Sequence, residues 1–254
     1  MLNNLIFSRD KSIFKIEDSL KLAFEKSGVH SRRQILTLVP SSISEDEIHT
    51  LRGKLYEAGI HEEIFLPLNV AISPTEGTHL VISSTSDLCD ITVIKDQEII
   101  AGGTVTSIER ELGRALTQYL REELQLDATP EAIRAARQEL TSFFPNDARK
   151  YFLGAVDLST HNYQDESLDA RDFFSHALPI YEKLISAIKK ILSDVATTDK
   201  AEMKLNPIIL YGSLFQSPGV IEFFHNELRS GVRILTVNDL AQCLVDVMPN
   251  HEIF

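Results

Sequence analysis

Cysteine is scarce: Cys89 and Cys243 are the only two in 254 residues. That excludes a disulfide framework, and their separation offers no metal pair, so a reducing compartment is the simplest setting. Basic residues are outnumbered, 25 against 37 acidic ones, for a formal net charge of −12. No basic run or aromatic-basic stripe offsets that field, which disfavours non-specific binding to nucleic acid or to anionic membranes. No apolar stretch approaches the roughly 20 residues that cross a bilayer. The start, Met1 to Phe7, has an apolar patch but no charged leader or small-residue cleavage site, so the expected location is cytoplasmic. Internal repeats, low-complexity tracts and long linkers are also missing. The eight histidines form no i, i+4 pair and have no cysteine partner, which argues against zinc. Gly212-Ser213 lacks the flanking pattern of a serine-hydrolase elbow.

What remains is an ordinary globular composition, 43% hydrophobic and 24% charged, long enough for one large or two small domains. Strand and helix patterns alternate, which predicts an α/β architecture with largely parallel pairing. Leu20, Ala23, Phe24 and Ser27 mark one face of a first helix. Ile35-Leu-Thr-Leu-Val39 is a short continuous apolar run ending at Pro40, the pattern of a buried strand. Ser44 and Glu47 form a capping box ahead of Ile48, Leu51, Leu55 and Ala58 at helical spacing. Glu63 to Leu66 supplies another strand, and the turn-rich Ser73-Pro-Thr-Glu-Gly77 marks a boundary. His79 to Ser83, Asp90 to Ile94 and Glu98 to Ala101 read as strands, the last two joined by the turn Lys95-Asp-Gln97. Ile108 to Leu124 is a clear amphipathic helix, Ala132 to Leu140 a shorter one, and Tyr151 to Val156 a further strand. A long helix covers Ala177 to Val195. Pro207 to Tyr211, a helix at Val220 to Leu228, Val232 to Thr236 and a helix at Leu240 to Val247 complete the order.

In that order, these strings resemble the MreB-like bacterial actin family. Ile35 to Pro40, the capped helix and Glu57-Ala-Gly59 are similar to one family segment, and Phe65-Leu-Pro67 with Val70-Ala-Ile72 to its Glu-Glu-Pro stretch. Leu80 to Ile94 resembles the second phosphate loop, Ala115 to Tyr119 a helix that follows it, and Ile209-Leu-Tyr-Gly-Ser213 the adenosine loop. Val237 to Cys243 is similar to a closing segment, so the resemblance is collinear from about Phe7 to about Val247. It implies an α/β, actin-like (RNase H-like) fold. Residues 1–77 would form a partial first domain lacking the first phosphate hairpin. Residues 78–254 would form a more complete second domain, with a shortened insertion at about 107–175.

The resemblance also implies where a nucleotide would sit, and there the residues depart from the family. Glycine hairpins let backbone N–H groups approach phosphates, and carboxylates hold the metal through water. This chain has Ser83 in place of the first Asp of the loop and Thr85, Ser86 and Asp87 in place of three glycines; Asp90 keeps the acidic end. Asp87 would add negative charge beside a phosphate. Leu66 stands where the family carries its activating Glu, and Ser107 to Arg110 replaces a Gly-Gly-Asp turn. Gly212 survives in the adenosine loop, but Ser213 and Leu214 replace glycines and Phe215 follows, which would crowd a base. The vestigial positions are thus Ser83, Thr85, Ser86, Asp87, Asp90, Gly212 and Ser213.

The expectation is no catalytic residue, no metal and no cofactor. The function expected is a non-catalytic, actin-like scaffold or regulator of a bacterial cytoskeleton or cell-shape machinery. Its partner would be a full-length actin-like filament protein or a second copy of this chain, with no nucleic acid and at most indirect membrane contact. The alternative is a divergent ATPase using Asp90, Gly102, Gly103 and Gly212, with the glycine pair otherwise a bulge or strand end. Asp87 with Asp90 as an acid/base couple is set against ordinary hairpin-turn residues. Cys89, read as a turn residue, has no basic neighbour to activate it. Arg32-Arg33 reads as a solvated turn rather than a phosphate site. If a missing hairpin once flanked Ile35 to Val39, that strand has an edge open to another chain, unless Asn4 to Phe7 covers it.

Overall fold

The computed structural model describes residues 5–6, 35–57, 59–85 and 88–247. The first helix at Leu20 to Ser27, the Arg32-Arg33 pair, Ala58, Ser86 and Asp87 lie outside the described residues.

Three sheets organise the described residues. In the first, β1 (Leu5–Ile6), β2 (Ile35–Val39) and β3 (Glu63–Pro67) run parallel in that spatial order. Leu5 pairs with Thr37 and Ile6 with Leu38, so the edge of β2 is occupied there by the same chain. The open-edge route to a dimer through β2 loses its basis at those positions. The helix between β2 and β3, Glu45–Glu57, starts with the expected capping box. The Ser44 N–H donates to Glu47 Oε2 at 2.8 Å, and the Glu47 N–H returns to Ser44 Oγ at 3.3 Å.

The second sheet has the order β11-β10-β4-β5-β6. Its strands are β4 (Thr78–Ser84), β5 (Leu88–Lys95), β6 (Glu98–Thr106), β10 (Ile208–Tyr211) and β11 (Val232–Leu235). β11, β10 and β4 are parallel, whereas β4, β5 and β6 form an antiparallel meander. The third sheet, β7 (Leu126–Asp127), β8 (Lys150–Asp157) and β9 (Tyr163–Asp169), is antiparallel throughout. The expected parallel dominance is therefore corrected. Short turns join three of the eight pairs, β4–β5, β5–β6 and β8–β9, and such turns permit only antiparallel pairing.

β6 runs five residues beyond the strand expected at Glu98 to Ala101 and takes in Gly102 and Gly103. Packing is tight around both glycines. A Cβ on Gly102 would press on the Ile91 carbonyl at 3.2 Å, and one on Gly103 on Ile191 at 3.2 Å. The register shift falls at Val93/Ile94 instead.

One face of the second sheet meets the long helix Ala170–Ser193 and the Ile108–Glu122 helix. Tyr181, Phe173, Phe215 and Phe224 are fully buried in that core, and Phe143 stacks on Tyr181 with ring centroids 4.2 Å apart. On the other face, Val81, Ile94, Ile209 and Leu235 share a second core with Leu36, Leu38 and Leu66 of the first sheet and with the short helix Leu68–Ile72. That second core joins the first two sheets. It also positions the loops at their C-terminal ends.

Candidate functional site

The β4–β5 hairpin is the centre of the site. Ser83 is buried, pairs with Asp90 across the antiparallel ladder and lies beside Tyr211 of β10. Thr85 closes the hairpin: its N–H donates to the Leu88 carbonyl at 2.9 Å, and its hydroxyl to the same oxygen at 3.1 Å. Ser86 and Asp87 lie outside the described residues, so the charge expected at Asp87 has no geometry to report.

Asp90 is buried within β5 and faces the first sheet. Its Oδ2 accepts the backbone N–H of Ser41, just past β2, at 2.7 Å. Asn69, fully buried on the short Leu68–Ile72 helix, works at the same seam. Its Nδ2 donates to Thr92 Oγ1 at 3.0 Å and to the Asp90 carbonyl at 3.2 Å. The sequence reading missed both Ser41 and Asn69, because their partners lie far along the chain and no local motif marks them.

The loop after β10 sits directly against the hairpin. Gly212 has φ +124°, and a Cβ there would overlap the Ser84 carbonyl oxygen. The glycine is required by this close approach and by the positive φ. Of the side chains that follow it, Leu214 and Phe215 turn inward; Phe215 is fully buried and meets Phe224 edge-on at 5.7 Å. This corrects the expectation that Phe215 crowds the loop's open side: an aromatic ring buries far more apolar surface in the core. Ser213 stays exposed, and its hydroxyl donates to Glu109 Oε1. Glu109 Oε2 in turn accepts from Arg137 Nη2 at 3.0 Å, a pair in which each side chain is only 11% exposed. Loop, helix start and the Pro130–Leu140 helix are thereby linked in one chain of charge-assisted bonds.

Ser107, where the family turn has glycine, is the N-cap of the Ile108–Glu122 helix, accepting the Arg110 N–H at 3.2 Å. Leu66 belongs to the core shared by the two sheets. Cys89 is a correction: it lies within β5, fully buried, rather than on a turn. Burial, then the charges of Asp90 and Glu109, push its thiol far above the ordinary range, so it carries no thiolate chemistry. Among the described residues, no group of His, Cys, Asp and Glu is arranged to hold a metal ion. Nor is any helix among them long and apolar enough to cross a membrane.

A parallel sheet joined through a shared core to a mixed five-stranded sheet, with a small antiparallel sheet inserted after the meander, defines an actin-like α/β fold. Solved structures agree. MreB5 of Spiroplasma citri bound to ADP superposes with a TM-score of 0.84 at 14% identity, over 95% of this chain and 75% of that one. The same protein bound to AMPPNP gives 0.85 at 15% identity, with the same coverage. A MamK double helical filament gives 0.74 at 13% identity, covering 95% of this chain and 78% of that one. At such identities the likeness is one of fold. No protein-family model matches the sequence, and no curated protein does either.

Proposed function

We propose that this chain is an actin-like protein that acts through protein contacts, as a scaffold or regulator of a bacterial actin-like cytoskeleton, without hydrolysing a nucleotide. The observation that carries the reading is the commitment of the would-be nucleotide side chains to partners elsewhere in the chain. Asp90, the one acid kept from the loop pattern, accepts the Ser41 N–H, and Ser213 is bonded to Glu109, itself held by Arg137.

A magnesium nucleotide fits these residues poorly. Thr85 uses its N–H and hydroxyl to close its own hairpin, leaving neither for a phosphate. Leu66 offers no carboxylate to orient water. Releasing Glu109 for any ligand would strand the buried Arg137 without its counter-charge, a costly exchange.

Calorimetry with Mg-ATP, paired with a phosphate-release assay on the same full chain, tests the proposal. The expected result is no saturable heat and no release. Micromolar affinity with measurable turnover would overturn it. A second reading, a divergent ATPase, draws support from the neighbours: MreB5 structures carry ADP and AMPPNP, and a non-polymerising MamK mutant carries AMPPNP. The same two assays separate the readings. The filament form of MamK motivates self-association or a filament partner here as well.

A further inference from the structure

A groove of about 1020 Å³ runs between the Ile108–Glu122 and Pro130–Leu140 helices; it meets the Gly212 loop at one end only, where Glu109 holds Ser213. Five arginines line it: Arg110, Arg114 and Arg121 on one wall, Arg134 and Arg137 on the other. Three carboxylates, Glu109, Glu122 and Asp127, line it too, so arginine exceeds acid there by two, whereas the whole chain holds 25 basic residues against 37 acidic ones. No lysine lines the groove, and arginine is the residue whose planar fork recognises carboxylates in pairs.

Three of the five are already engaged: Arg137 by Glu109, Arg121 by Asp127 at 2.9 Å, and Arg110 by a contact of its own. Arg114 and Arg134 are exposed, on opposite walls, and neither forms a hydrogen bond or ion pair among the described residues. Arg114 feels the charge of Glu111, but that carboxylate is held by Lys183 at 2.6 Å. The lining also includes apolar surface at Ala128, Pro130, Ile133 and Val156.

Length favours an extended ligand over a compact one. Arg110, Arg114 and Arg121 fall on one helical stripe, and at 1.5 Å per residue the stripe spans roughly 16 Å. An extended peptide covers that distance in about five residues. A single phosphate group would engage one end only.

We propose that this groove is a docking site for an extended acidic segment of a partner protein, its carboxylates taken by Arg114 and Arg134 and its apolar side chains by Ile133 and Val156. The inference does not depend on whether the hairpin region holds a nucleotide.

Fluorescence anisotropy of the full chain with a labelled, glutamate-rich peptide carrying interspersed leucines tests it. A lysine-rich peptide serves as the control. The expected result is saturable binding of the acidic peptide only, weakening with added salt, and loosened at least about tenfold by Arg114→Glu with Arg134→Glu. Both positions are exposed, and circular dichroism of the double variant checks that it folds. Absence of binding, or binding unchanged in the folded double variant, overturns the proposal. So does displacement of the peptide by tripolyphosphate or ATP at concentrations below those of the unlabelled peptide, which would make the groove a phosphate site.

Discussion

Gly212 and Gly53 show how one residue type answers to opposite demands. Gly212 has φ +124° and presses on the Ser84 carbonyl, so a methyl group there is strained twice. Gly53 lies exposed within the Glu45–Glu57 helix with nothing within 4 Å of its absent Cβ. Gly212→Ala is expected to cost about 2–4 kcal/mol, and Gly53→Ala to gain about 0.5–1 kcal/mol by reducing unfolded-chain freedom. Urea unfolding midpoints of the two variants check this; equal shifts of one sign would be inconsistent with it. The same residue marks the limit of sequence reading at the site. A glycine ending a strand signals a special turn, and Gly212 was legible as such. Its reason was not, because Ser84 lies on another strand and only the β10–β4 pairing brings the two together. Glu109 was hidden for a like cause: an acid in the first turn of a helix reads as ordinary dipole compensation. Only the fold shows it bridging Ser213 and Arg137.

At the scale of elements, legibility followed burial. β10 is a short apolar run, and β2 and β4 carry apolar stretches broken only by Thr37 in one and centred on Leu80 to Ile82 in the other, all enclosed by packing, and their sequences say so. β9, Tyr163–Asp169, escaped notice because only Leu168 of its seven residues is buried, so no period-two pattern exists to read. Its place is set instead by pairing with β8 and by the turn between them. That turn depends on Asp157. The Ser159 hydroxyl donates to Asp157 Oδ1 at 2.6 Å, and the Thr160 and Ser159 N–H groups do so at 2.8 Å each. These bonds, the Ser159 hydroxyl first, hold the carboxyl at about 2, below its ordinary 3.8. A depressed carboxyl contributes stability above its ordinary value and loses it as pH falls toward the folded one. Amide exchange at Ser159 and Thr160 should therefore quicken between about pH 4 and pH 2 beyond its intrinsic pH dependence. Asp157→Asn should remove that step, and a variant retaining it would place the cause elsewhere.

Across the whole molecule, two kinds of contact join the first sheet to the second. Leu38 and Leu66 share a core with Val81 and Ile209, an attraction that depends on area and tolerates small displacements. Asp90 adds direction, since its buried carboxylate fixes the half-buried Ser41 N–H at 2.7 Å. Together they imply that the sheets unfold as one unit but that the seam at Ser41 has its own, smaller opening energy. Asp90→Ala isolates that term. A hydrogen bond to a charged group is worth about 1.5–3 kcal/mol, so native-state exchange at the Ser41 amide should accelerate by roughly 10- to 100-fold. Exchange at Val81 and Ile209, inside the apolar core, should follow only the change in global stability. If Ser41 exchanges no faster in the variant, Asp90 does not fasten the seam, and its burial facing the first sheet would then reflect packing alone. If Ser41, Val81 and Ile209 accelerate equally, the seam has no opening of its own, and the two sheets separate only by unfolding.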